Sequence, residues 1–89
     1  MASWTIDYTD DVVKAFTKLD KGIAREIYRY LGEIQNLPDP RLRGKGLTAN
    51  HSGIWRYRVR DMRILCEIQD DRLVILVLHV GNRDGVYDF

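Results

Sequence analysis

The polar and apolar positions of this chain change period several times, and each change marks a predicted element. Trp4, Ile6 and Tyr8 alternate with Ser3, Thr5, Asp7 and Thr9, the two-residue period of a strand. Thr9 or Asp10 then offers a helix cap with acids in the first turn, and Val12, Val13, Phe16 and Leu19 follow at helical spacing. Asp20-Lys21-Gly22 breaks that run, and Asp20 is placed to cap a second helix. Its stripe of Ile23, Ile27, Tyr30, Leu31 and Ile34 ends at Leu37-Pro38-Asp39-Pro40. The two helices are expected to pair as an antiparallel hairpin. Residues 38–53 hold both prolines with Gly44, Gly46 and Gly53, which predicts a long surface connection of the kind that often carries function. Strand period then returns three times. Trp55, Tyr57 and Val59 alternate with Arg56, Arg58 and Arg60, and Ile64, Cys66 and Ile68 alternate with Arg63, Leu65, Glu67 and Gln69. The stretch Leu73–Val80 is nearly all apolar and suits an interior strand. Asp61-Met62 and Asp70-Asp71 are the expected hairpin turns. The order is β-α-α-β-β-β.

Composition narrows the class. The chain has 89 residues, 45% hydrophobic and 30% charged, which is globular rather than disordered composition and implies one domain over residues 1–89. The longest apolar run, Leu73–Leu78, is far below the roughly 20 residues of a membrane helix, so no membrane association is expected. The N-terminal residues lack the basic and apolar regions of a secretory signal, and Cys66 is the only cysteine, which leaves no internal disulfide and no CxxC site. A reduced, cytoplasmic protein is the expectation.

The net charge of +1 hides an uneven distribution. Residues 41–63 carry Arg41, Arg43, Lys45, Arg56, Arg58, Arg60 and Arg63 against Asp61 alone, while the flanking segments are net acidic. On a strand, residues two apart share a face, so Arg56, Arg58 and Arg60 are expected to project together with Trp55, Tyr57 and Val59 packed beneath them. A tight hairpin would bring Arg63 alongside. Gathering like charge on one sheet face suits a polyanion, and guanidinium is the side chain for bidentate contact with phosphate. Arg83 and Tyr87 follow the last strand in Val80-Gly81-Asn82-Arg83-Asp84-Gly85-Val86-Tyr87. If they turn toward the arginines, a phenol among cations could accept a proton from a ribose 2′-hydroxyl while arginines stabilise the phosphate. His51 and His79 are too far apart in sequence to specify a ligand set, no spacing suggests a metal site, and Cys66, Trp4 and Trp55 read as packing residues.

Several short motifs, in order, resemble the RelE toxins of the RelE/ParE superfamily. They are Leu42-Arg43-Gly44, Gly53-Ile54-Trp55-Arg56-Tyr57-Arg58-Val59, Asp61-Met62-Arg63-Ile64-Leu65, Val80-Gly81-Asn82-Arg83 and Val86-Tyr87. The resemblance implies an α+β fold, with the helical hairpin packed on a mainly antiparallel four-stranded sheet. It also implies the toxin of a type II toxin–antitoxin pair, a metal-independent endoribonuclease without cofactor that cuts mRNA in the ribosomal A site through the 2′-hydroxyl. Family catalytic positions fall on Arg56, Arg58, Arg63, Arg83 and Tyr87, with Arg41, Arg43, Lys45 and Arg60 as expected RNA-binding residues. RelE-like enzymes often have lysine at the positions of Arg56 and Arg58. Arginine stays protonated, so Tyr87 is the expected proton acceptor, with Arg83 near the leaving 5′-oxygen. The implied partners are a cognate RelB-like antitoxin in a hetero-oligomer, mRNA, and the ribosome with its 16S rRNA near the A site. Two other readings stand beside this one: a ParE-like inhibitor of DNA gyrase without nuclease activity, and a non-catalytic RNA-binding module.

Overall fold

The computed structural model of the chain describes residues 3–47 and 53–82. Strand β1 (Thr5–Tyr8) leads into helix α1 (Asp10–Lys18) and helix α2 (Lys21–Gln35). A short 3-10 turn (Pro40–Leu42) and strand β2 (Lys45–Gly46) follow, then β3 (Ile54–Val59), β4 (Met62–Gln69) and β5 (Val74–Asn82). The sheet order is β1-β5-β4-β3-β2, with β1 parallel to β5 and every other pair antiparallel. The four expected strands are joined by a fifth, β2, which is two residues long and lies inside the stretch that reads from sequence as a featureless connection. A strand that short, half glycine, leaves no period to detect.

The helices start where their caps dictate. The Thr9 Oγ1 accepts from the Val12 amide at 3.2 Å, and an Asp20 carboxylate oxygen accepts from the amides of Gly22 and Ile23 at 2.9 and 3.2 Å. Val12 and Phe16 of α1 and Ile27, Leu31 and Ile34 of α2 are buried against Tyr57, Ile64, Cys66, Ile75 and Val77 of the sheet. Each such aliphatic side chain contributes roughly 1.5–3 kcal/mol on burial. Val13, expected in the apolar stripe of α1, is 51% exposed. One face of the sheet is thus closed by helices, and alternation turns Arg56, Arg58 and Arg63 to the other.

Two details of backbone geometry reset the expected register. Val59 pairs with Met62, so the β3–β4 turn is Arg60-Asp61, one residue earlier than the sequence suggests. Arg60 sits there at φ 55° and is no longer part of the strand. In β5 the pairing passes from Leu65↔His79 to Cys66↔Val77, which makes Leu78 the extra residue of a bulge. Val77 and Val80 both reach the core as a result, and His79 falls in the row of Leu65 and Arg56. An unbroken apolar run cannot announce a bulge of this kind.

The covered face also ties down the loop before β2. Tyr57 is fully buried, and its hydroxyl donates to the Pro40 carbonyl at 2.7 Å. The Trp55 Nε1 donates to the Arg43 carbonyl at 2.7 Å. Burial pushes the Tyr57 phenol well above its ordinary value and the Tyr8 phenol up to about 12. Both are neutral in the fold, whereas in the unfolded chain they ionise near pH 10. Their stabilising contribution is therefore complete below about pH 10 and declines as pH rises toward their folded values. Urea midpoints should fall between about pH 9.5 and 11.5, and Tyr8→Phe should shallow that decline; an identical slope in the variant would contradict the assignment.

Candidate active site

The site is built from the rows of the sheet face opposite the helices. Lys45 of β2 pairs with Arg56 of β3, and Arg58 of β3 lies directly opposite Arg63 of β4. Like charges facing each other across a ladder destabilise a sheet, by roughly 0.2–1 kcal/mol. The Arg58 Nε donates to the Arg60 carbonyl at 3.2 Å, which folds its guanidinium against the turn. The Arg63 Nε is buried and makes no hydrogen bond among the described residues. An unpaired buried donor of this type costs on the order of 1–3 kcal/mol.

A cleft of about 330 Å³ opens at this edge, lined by Tyr30, Gly44, Lys45, Arg56 and Arg58. Gly44 holds it in shape from φ 79°, a left-handed conformation suited to glycine. A Cβ at that position would lie 2.4 Å from the Arg56 carbonyl oxygen and 2.8 Å from both the Trp55 Nε1 and the Tyr57 Cδ1.

The basic residues divide into two sets. Arg41 bonds Asp70 in a bidentate pair at 3.0 and 2.7 Å, Arg43 bonds Glu33 at 2.8 Å, and Arg60 bonds Glu26 at 2.7 and 2.5 Å. The Arg41 hydrogen bond holds the Asp70 carboxyl below its ordinary value. The expectation that Arg60 shares a face with Arg56 and Arg58 is corrected. Its place in the turn sends the side chain to α2, on the helical side of the sheet. By contrast, among the described residues no carboxylate forms an ion pair with Lys45, Arg58 or Arg63.

Of the residues expected to be catalytic, Arg56, Arg58 and Arg63 share one face. Arg83, Tyr87 and His51 lie outside the described residues. The last described position, Asn82, pairs with Met62, and Gly81 pairs with Arg63, so β5 reaches the end of the sheet beside that arginine. Among the described residues no three His, Cys, Asp or Glu side chains gather as metal ligands, and no helix is long and apolar enough to cross a membrane. Sequence reasoning missed Tyr30, whose place in a helical apolar stripe marks it as core. Its ring packs edge-on to Tyr57 at 5.9 Å, and the Arg43 guanidinium stands 5.7 Å from its centre. Burial raises its phenol above the ordinary value, with Arg43 pulling the other way.

This arrangement of a helical hairpin on a five-stranded sheet is shared with solved structures of toxins and toxin–antitoxin complexes. It superposes on the RelBE2 toxin–antitoxin complex of Mycobacterium tuberculosis with a TM-score of 0.82 at 24% identity, covering 93% of this chain and 94% of that one. A mutant of the E. coli toxin RelE in the free state gives 0.81 at 20% identity, covering 98% and 93%. The archaeal RelE–RelB complex of Pyrococcus horikoshii gives 0.74 at 22% identity, covering 93% and 98%. No curated protein sequence matches the chain. The family described as the ParE toxin of the type II toxin–antitoxin system, parDE, matches residues 6–87. The chain belongs to that family, within the RelE/ParE superfamily of type II toxins.

Proposed function

We propose that the protein is a ribosome-dependent endoribonuclease that cuts mRNA in the A site, acts in the cytoplasm, and is neutralised by a RelB-like antitoxin. The observation that carries this reading is the Arg58–Arg63 pair: two arginines stand opposite each other in the ladder, one with a buried Nε that has no partner among the described residues, in a row beside Lys45 and Arg56. A sheet bears that repulsion most readily when an anion is to be bound there. Arg56, Arg58 and Arg63 would hold the scissile phosphate and stabilise the charge that develops on its oxygens. The ribose 2′-oxygen attacks phosphorus, the bond to the 5′-oxygen breaks, and the products are a 2′,3′-cyclic phosphate and a 5′-hydroxyl. In this scheme Tyr87 accepts the 2′-proton, and Arg83 stands near the leaving oxygen, both roles resting on the family resemblance.

Mapping of mRNA 5′ ends after induced expression tests the reading: breaks should cluster within translated codons. Tyr87→Phe should slow cleavage by about 10²–10⁴-fold, the range for a positioned proton transfer. A rate within threefold of wild type would remove Tyr87 from that role. The match to a ParE family model favours a second reading, inhibition of DNA gyrase. Under that reading, induction would leave mRNA whole and trap gyrase on broken DNA.

A further inference from the structure

We propose that Tyr30 is the wall of a nucleobase subsite, and that the cleft it shares with Lys45, Arg56 and Arg58 takes one nucleotide of single-stranded RNA, phosphate on the cations and base on the ring. The inference rests on the ribonuclease reading above and adds to it the contact that holds a base.

The reasons lie in how the ring is mounted. An anion site needs only cations, yet this cleft is also lined by an aromatic residue, contributed by the helical layer rather than by the sheet. The ring is fixed from two directions. It meets Tyr57 edge-on, with Tyr57 itself pinned by its bond to Pro40, and one side of it carries the Arg43 guanidinium that Glu33 holds from the same helix, which leaves the other side for a base. A preset aromatic surface loses little freedom on stacking, and stacking tolerates any base because every base has a π-face. The volume of about 330 Å³ is at the lower end of small-ligand clefts, which run from roughly 300 Å³, and suits one nucleotide rather than a folded RNA element. Single strands offer that unit, since their bases can be splayed onto aromatic side chains beside a cationic track for the backbone. The raised phenol of Tyr30 is consistent with a ring that stays neutral and acts by surface rather than by proton transfer.

The test compares two probes of equal length and charge: a 2′-O-methyl hexaribonucleotide, which resists cleavage, and its abasic sugar–phosphate counterpart. Wild type should bind the base-bearing probe more tightly, by about 5- to 150-fold, the range for one stacked base. Tyr30→Leu should erase that preference while leaving affinity for the abasic probe unchanged, and Tyr30→Phe should keep it. Arg56→Ala should weaken both probes alike. Should Tyr30→Leu fail to fold, the wild-type protein still decides the matter: the Tyr30 ring-proton resonances should move upfield with the base-bearing probe and not with the abasic one. Equal affinity of wild type for the two probes, or an equal loss on both in folded Tyr30→Leu, overturns the base subsite and leaves the phosphate reading standing. Absence of binding to either probe, or indifference of both to Arg56→Ala, overturns the phosphate reading and the subsite with it.

Discussion

Arg58→Thr is expected to cut RNA cleavage by about 10²–10³-fold, the cost of removing one preorganised donor from a developing oxyanion, while making the protein more stable. The two effects share a cause. Arg58 faces Arg63 directly across the β3–β4 ladder, so its charge is useful with an anion present and repulsive without one. Threonine removes the charge and is a good strand former, which favours the fold a second time. Relief of roughly 0.2–1 kcal/mol in a domain of this size corresponds to a rise in Tm of about 1–8 °C. Calorimetry on purified wild type and variant, with cleavage measured on the same preparations, checks both halves. Retained cleavage would show that Arg58 does not serve the reaction, and a lowered Tm would show that it is structural.

Gly44→Ala should have a larger effect on the fold than any exchange at the arginines. The added methyl would stand 2.4 Å from the Arg56 carbonyl oxygen, and a left-handed residue would acquire a side chain at φ 79°. Neither the strand backbone nor the packed rings of Trp55 and Tyr57 can yield cheaply, so β2 is expected to leave the sheet. The Trp55 bond to the Arg43 carbonyl and the Tyr57 bond to Pro40 are then strained or lost. A loss of about 2–4 kcal/mol follows from overpacking and backbone strain together. Denaturant titration measures that loss, and RNA affinity should fall in parallel because Lys45 moves with β2. A stability within about 0.5 kcal/mol of wild type, the level of an ordinary surface exchange, would mean that the loop adapts freely.

What the sequence discloses about this molecule divides along physical lines. Thr9 and Asp20 cap their helices as their positions predict, because a cap depends on residues within three or four of it. The stripe of α2 and the alternation of β3 are also local, and they place Ile27, Leu31, Ile34 and Tyr57 in the core. That Arg63 shares the face of Arg56 and Arg58 is legible from the same alternation, but its partner is not: the expected turn at Asp61-Met62 would set Arg60 opposite Arg63, and the observed turn sets Arg58 there. Pairings that depend on distant residues are not legible. Nothing near Arg60 announces Glu26, and nothing near Arg41 announces Asp70, so in a cluster that reads as uniformly available Arg41, Arg43 and Arg60 are engaged in ion pairs. Tyr30 belongs to an apolar stripe by spacing and to the cleft by its place at the sheet edge. His79 changes face only because Leu78 is bulged out.

The pairing of β1 with β5 bears on how the chain acquires its shape. Thr5 aligns with Val74, so β1 finds its neighbour only when β5 has emerged, some seventy residues later. Until then α1 lacks β5, the strand it packs on, and closing that long loop is a late, entropically costly step. A nascent copy therefore remains without its completed sheet until Val74–Asn82 has been made, which separates the making of the helices from the moment their platform exists.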